Sequence, residues 1–341
     1  VAVDETLASL SNQLVYSAML VYTGALGAYA VDLSSRGGSR RGESAVAEPA
    51  LVAADGSPLP GASSPAASRP GVSRLGAGPQ PEVAPAAERS RAGGIAVALT
   101  WLAFALHLGG VVARGASAGR APWGNMYEFA VSGAVVVTGV FLVVLSRRDI
   151  RYLGTFVVGP VLLTLGLAVA VLYTRASQLV PALQSFWLVI HVSVAFVASA
   201  LFTLAFSTTV LQLVQERREL GRSAGREQRR GRFMDAMPSS VDLERSSYRL
   251  HVVAFPLWTF TVMAGAIWAE AAWGRYWNWD PKEVWSFVIW VVYASYLHAR
   301  ATRGWDGRRS AYLALAGYAC ILFNFLVVNI FFVGLHSYSG V

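Results

Sequence analysis

Residues 273–290 read WGRYWNWDPKEVWSFVIW: five tryptophans, a tyrosine and an Asp-Pro-Lys-Glu step within 18 positions. The stretch is flanked by long apolar runs, one ending near 271 and the next starting near 283. Indole rings combine a large apolar face with one N–H that seeks a partner, so they collect where a chain meets the edge of a membrane. Asp280, Pro281 and Glu283 carry a helix-start signature: Asp at the N-cap, Pro at the first helical position, Glu reaching back to the cap. The loop therefore ends abruptly, and the next helix points its first N–H groups and positive dipole end outward. A flat-faced, polar-edged surface of this kind suits a large planar ligand.

Composition sets the surroundings. The chain has 341 residues, 55% hydrophobic and only 14% charged, with a mean hydropathy of +0.46. Soluble domains carry about 25% charged residues, so the expected fold class is all-α and polytopic in a membrane. Apolar stretches of spanning length, roughly 20 residues, fall at about 9–31, 93–113, 126–146, 152–173, 185–213, 250–271, 283–300 and 310–333. That predicts about eight transmembrane helices. Residues 1–31 read as an N-terminal transmembrane helix and 32–92 as a disordered cytoplasmic linker rich in Ala, Gly, Ser and Pro. Residues 93–341 then form a seven-helix membrane domain carrying the Trp-rich loop. The first apolar stretch lacks a basic flank and follows Asp4 and Glu5, so it does not read as a signal peptide.

The pI near 9.9 comes from arginine in loops, an orientation signal rather than a nucleic-acid footprint. Alternate loops carry 23 of the 28 Lys and Arg residues, and the others carry five. The positive-inside rule puts the 23 in the cytoplasm, leaving both termini and the Trp-rich loop extracytoplasmic. Without the long first loop, 16 against five remains. The arginine-dense stretch 215–249 reads as a solvated cytoplasmic linker. Cys320 is the only cysteine, which leaves no disulfide framework, no Cys-x-x-Cys redox site and no covalent haem-attachment motif in this chain.

Five histidines remain. His191 lies about 9 Å into the fifth helix from its outer start, at 1.5 Å per residue, and His336 follows the outer end of the eighth. Both are expected near the level of the Trp-rich loop, where two neutral imidazoles from separate helices could ligate a haem iron axially. His298 lies about 17 residues into the seventh helix, roughly 25 Å down, close to the cytoplasmic face. His107 is ambiguous and His251 reads as structural. An interfacial aromatic belt would explain one or two tryptophans per helix end, but seven of the chain's eleven fall between Trp258 and Trp290. Asp280 could serve as an acid, although capping already accounts for it. The Asn125–Glu128 step either walls the same site or caps the third helix.

The segment GAIWAEAAWGRYWNWDPKEVWSFVIW resembles the "WWD" signature of haem-handling proteins in cytochrome c maturation. WGNMYEFA (123–130), QSFWLVIHVSVAF (184–196), SYRLHVVAFPLW (247–258), YLHAR (296–300) and GLHSY (334–338) narrow it. Together, over roughly 93–341, these stretches resemble the CcsA (ResC) family of the system II cytochrome c synthase. The resemblance implies that His191 and His336 are catalytic external ligands of haem b. It implies that His298 is the intramembrane ligand of a haem entry site, and that Trp273, Trp277, Trp279, Asp280 and Trp285 cradle the haem. The implied activity is cytochrome c haem lyase (holocytochrome c synthase), expressed only with a CcsB/ResB-like membrane partner that supplies a second intramembrane histidine. The implied substrate is an apocytochrome c with a Cys-x-x-Cys-His segment, and the setting is the bacterial cell membrane and its lipid. A thioredoxin-like thiol reductant is compatible with the scheme; nucleic acid is not part of it. The rival from another class is a non-catalytic haem exporter or chaperone using the same surface. A solute transporter would show paired, Gly/Pro-broken helices, and no such pairing is evident.

Overall fold

The computed structural model describes residues 3–46, 90–178, 183–225 and 232–336. Its eight long helices are α1 (Glu5–Val46), α2 (Arg91–Ala118), α3 (Met126–Arg147), α4 (Gly154–Ala170), α5 (Phe186–Ser223), α6 (Ser240–Trp273), α7 (Pro281–Arg303) and α8 (Arg308–Phe331). No strand occurs among the described residues. The chain is an all-α, multi-pass membrane protein.

Among the described residues, seven helices are long and apolar enough to cross a membrane, namely α1–α6 and α8, with the turn Arg151–Leu153 extending α4. Of the about eight helices expected from the sequence, one falls short of that measure of length and apolarity. The eighth, α7, has 23 residues but is amphipathic: Lys282, Glu283, His298, Arg300 and Arg303 dilute its apolar character. It packs between α6 and α8.

Hydropathy finds the apolar middle of a helix and not its polar ends. Accordingly α1 runs past residue 31 to Val46, and α2 begins at Arg91, so both ends of the segment read as linker are helical. Residues 47–89 of that segment lie outside the described residues. The reading of 215–249 as linker also changes, because α5 continues to Ser223 and α6 starts at Ser240. Between them Asp235 takes Arg218 at 2.6 Å and also Arg222, pinning the short turn Arg232–Ala236 against α5.

The helices pack in close pairs, α1 on α2 and α5 on α6, bridged by α3 and α4. One core cluster joins α1–α4 through Tyr22, Tyr29, Ala103, Phe141 and Leu165. A second joins α5, α6 and α7 through Phe202, Trp258, Ile289 and Tyr293, where Phe202 and Tyr293 stack at 3.9 Å. A third, at the end of the bundle that carries the Trp-rich loop, gathers Leu188, Val192, Phe196 and Trp268 with Trp123, Phe129 and Trp273 against it. It forms the floor and walls of the site.

The α7 start is built as its sequence implies. Asp280 caps the helix, Lys282 N–H donates to its Oδ2 at 3.1 Å, and Glu283 accepts from Asp280 N–H at 3.1 Å, closing a capping box. Glu283 also accepts Asn278 N–H at 2.8 Å, which ties down the loop ahead of the cap. Opposite, α8 widens into a π-turn over Phe323–Val328, a distortion often found at functional sites.

Candidate functional site

Between α3, α4, α5, α6, α7 and α8 lies a cavity of about 500 Å³, within the range of small-molecule sites. Its wall is mainly apolar and aromatic, with Trp123, Phe129, Phe196, Trp258, Trp268 and Trp277 among the lining residues. His191 and His336 both line it, although 145 positions separate them.

Each imidazole is held through Nδ1. His191 Nδ1 lies 2.8 Å from the Thr261 carbonyl oxygen on α6. A Cβ at Gly265, one turn along α6, would stand 2.8 Å from His191 Cε1 and 2.9 Å from Nδ1, so glycine makes this close approach possible. His336 Nδ1 lies 2.7 Å from Asp280 Oδ2, and Leu335 N–H donates to Asp280 Oδ1 at 2.6 Å. A Cβ at Gly334 would collide with Asp280 Oδ1. Burial works against the charge on Asp280, but the hydrogen bond from His336 and those from Leu335 and Lys282 outweigh it and hold the carboxyl below its usual range.

Trp268 joins the two histidines. Its ring lies 6.0 Å from His191, 13° from parallel, and 5.3 Å from His336 at a steep angle. Trp273, the last residue of α6 rather than a loop residue, packs edge-on against Trp268 at 4.7 Å and His336 at 5.0 Å. Of the other tryptophans singled out in the sequence, only Trp277 is in the cavity wall. Trp279 is 74% exposed, has φ +60, and meets Trp277 edge-on at 5.8 Å. Positive φ is strained for a bulky side chain. Trp285 turns instead toward α8, 4.2 Å from Phe323. His298 is exposed on α7 and is absent from this cavity.

Sequence reasoning missed Trp268, Thr261 and Gly265. Their signal was helical spacing: Trp258, Thr261, Gly265 and Trp268 recur at three- and four-residue steps, which puts them on one face of α6. Lys282 also lines the cavity, and its Nζ donates to the Asn324 carbonyl at 2.8 Å, within the π-turn of α8.

The N-terminal end of α3 closes one side. Asn125 caps α3 by accepting Glu128 N–H at 2.9 Å, and it lines the cavity too. Glu128 is buried between Arg114 (3.0 Å) and Arg120 (2.7 Å) and accepts Gly124 N–H at 2.9 Å. The same arginines hold the carbonyls of Thr174 and Ser177. Capping and walling are thus done by one segment.

The model of the cytochrome c assembly protein family matches residues 123–336, which spans His191, Trp268, Asp280 and His336. The chain belongs to the CcsA family of cytochrome c assembly proteins. Among its relatives, the cytochrome c biogenesis protein CcsA of Porphyra purpurea is 33% identical over 254 residues, covering 65% of this chain and 79% of that one. CcsA of Synechococcus elongatus is 34% identical over 268 residues (67% and 82%). CcsA of Synechococcus sp. strain JA-2-3B'a(2-13) is 34% identical over 311 residues (76% and 87%). As a member of this family, the chain has a role in cytochrome c maturation. The solved structure of a cytochrome c haem lyase, CcmF, shares the fold with a TM-score of 0.57 at 15% identity, covering 94% of this CcsA-family chain and 46% of the CcmF chain.

Proposed function

We propose that this chain holds haem b in the outer cavity, with His191 and His336 as axial ligands, and presents it for covalent attachment to an apocytochrome c. The observation carrying this reading is the pair of imidazoles, one on α5 and one in the turn after α8, at one aromatic-lined cavity. A planar macrocycle gains apolar and stacking contact from indole faces, and two histidines keep its iron six-coordinate. The protein's contribution is orientation and ligation. Each thiol of a Cys-x-x-Cys-His segment adds across a vinyl C=C: sulfur bonds one carbon, the thiol hydrogen goes to the other, and no net oxidation occurs. The incoming histidine replaces one of the two protein ligands.

In this reading the Trp-rich loop is extracytoplasmic in a bacterial cell membrane. Haem reaches it from the cytoplasmic side past His298. The exposure of His298 on α7 fits an entry site completed by a CcsB/ResB-like partner, without which no lyase activity is expected. A thioredoxin-like reductant would keep the apocytochrome thiols reduced.

The test is the absorption spectrum of the detergent-solubilised protein co-expressed with that partner. Six-coordinate low-spin haem, diminished in both His191→Ala and His336→Ala and recovered with added imidazole, is expected. Haem binding indifferent to both substitutions would remove the ligand assignment. Haem bound without thioether product on a supplied apocytochrome would favour an exporter or chaperone instead.

A further inference from the structure

We infer that Asp280 is a positioning residue for His336, matched on the other side by the Thr261 carbonyl for His191, so that both imidazoles keep Nε2 as the free ligating nitrogen. This rests on the reading of the two histidines as haem ligands and adds what makes them so. A carbonyl oxygen only accepts, and so does an ionised carboxylate. The proton of each neutral imidazole therefore sits on Nδ1, facing Thr261 O at 2.8 Å in one case and Asp280 Oδ2 at 2.7 Å in the other. In a neutral imidazole the second nitrogen then carries the lone pair. Two unrelated partners, one main-chain and one side-chain, impose the same tautomer on two rings lining one cavity. Ligating histidines need such a partner on the far nitrogen to fix ring orientation and tautomer.

Asp280 does more for His336 than a helix cap requires. Capping α7 uses an oxygen that accepts from the first turn, which the short side chain of Ser would also supply. Asp280 extends its reach to the segment after α8. Oδ1 takes Leu335 N–H at 2.6 Å while Oδ2 takes His336 Nδ1, so the residue and its neighbour are gripped by one carboxylate. Gly334 lets that segment come close enough. Both oxygens face N–H donors, and a side-chain amide has only one oxygen to offer. Whichever way the amide of an Asp280→Asn variant turned, its NH2 would face a donor. Either His336 would swap tautomer and lose its Nε2 lone pair, or the Leu335 bond would break.

The experiment compares haem affinity and spectrum of the partner-bound protein for wild type, Asp280→Ser, Asp280→Asn, His336→Ala and the Asp280→Ser/His336→Ala double variant. Ser and Asn both keep the α7 cap, so a folded α7 is retained in each. Expected is a loss of about tenfold or more in haem affinity for both Asp280 variants, with low-spin character restored by added imidazole. The double variant should be no worse than His336→Ala, because Asp280 acts through that ring. An Asp280→Ser loss that adds in full to the His336→Ala loss would make Asp280 a structural cap only and overturn the inference. So would wild-type affinity in both Asp280 variants alongside a defective His336→Ala. A His336→Ala protein with wild-type haem would instead sink the ligand reading beneath it.

Discussion

The indole of Trp268 lies 13° from parallel with the imidazole of His191, centroids 6.0 Å apart, and meets the ring of His336 edge-on at 5.3 Å. One buried ring, 2% exposed, thus touches two histidines that lie 145 positions apart in the sequence. Removing it opens a cavity between them. Trp268→Ala is expected to cost about 3–5 kcal/mol of stability and to abolish the low-spin haem signal, whereas Trp268→Phe should keep most of both. Thermal unfolding in detergent and the absorption spectrum check the pair. Equal behaviour of Ala and Phe would show that the ring does not set the spacing of the two histidines.

Gly265→Ala sets two effects against each other. Ala is favoured over Gly in a helix interior by about 1 kcal/mol, yet its Cβ would lie 2.8 Å from His191 Cε1. The ring sits in a packed wall, so relief means lifting it off the Thr261 carbonyl, at a cost of about 1–3 kcal/mol. The variant should be less stable than wild type and resemble His191→Ala in its spectrum, with recovery by added imidazole. A protein stabilised by the substitution, with its haem spectrum intact, would mean that His191 has room to move.

The features legible in the sequence were those made by neighbours along the chain. The α7 capping box follows from Asp280, Pro281 and Glu283 alone, and the apolar helices follow from runs of single residues. His191 and His336 could be matched because helix direction and rise set their depth. Three things depended on packing. Trp285 faces α8 and not the cavity because the π-turn at Phe323–Val328 receives it. The Thr261 carbonyl has no side-chain signature at all. The polar ends of α1, α5 and α6 fall below any hydropathy threshold, since helices continue into water when ion pairs such as Arg218–Asp235 hold them.

Glu128 is the anion that Arg114 and Arg120 share, and its side chain is fully buried. Removing one member of a buried ionic group strands the others at about 3–5 kcal/mol. Glu128→Ala should approach that cost. Glu128→Gln, which still accepts from one arginine and from Gly124, should lose less, about 1–3 kcal/mol. Thermal midpoints of both variants decide. Near-wild-type stability of Glu128→Ala would mean that the arginines find water once the carboxylate is gone.

Asp235 supplies a pH test between α5 and α6. Burial opposes its charge, but hydrogen bonds and attraction from Arg218 and Arg222 prevail and hold the carboxyl below its usual range. A depressed carboxyl stabilises the folded state above the unfolded-state pKa, and that contribution fades as pH falls through the folded value. Wild type should therefore be more stable than Asp235→Asn near neutral pH. The gap should narrow below the ordinary carboxylate range, near pH 4 and lower. Thermal midpoints of the two proteins across that range read it directly, and a gap that stays constant would assign the effect to packing.

His298 separates depth from ligation. It is exposed on α7, its carbonyl accepts from Thr302 Oγ1 at 2.8 Å, and its ring is outside the cavity that His191 and His336 line. Surface substitutions of this kind change stability by less than about 0.5 kcal/mol. His298→Ala should thus leave the thermal midpoint unchanged and leave the spectrum of haem added to the outer site unchanged. What it should lower is the fraction of protein isolated with haem already bound, since entry precedes outer ligation in the proposed path. A distorted outer spectrum would couple the two depths through α7. Unchanged haem loading, with the partner present, would remove His298 from the path.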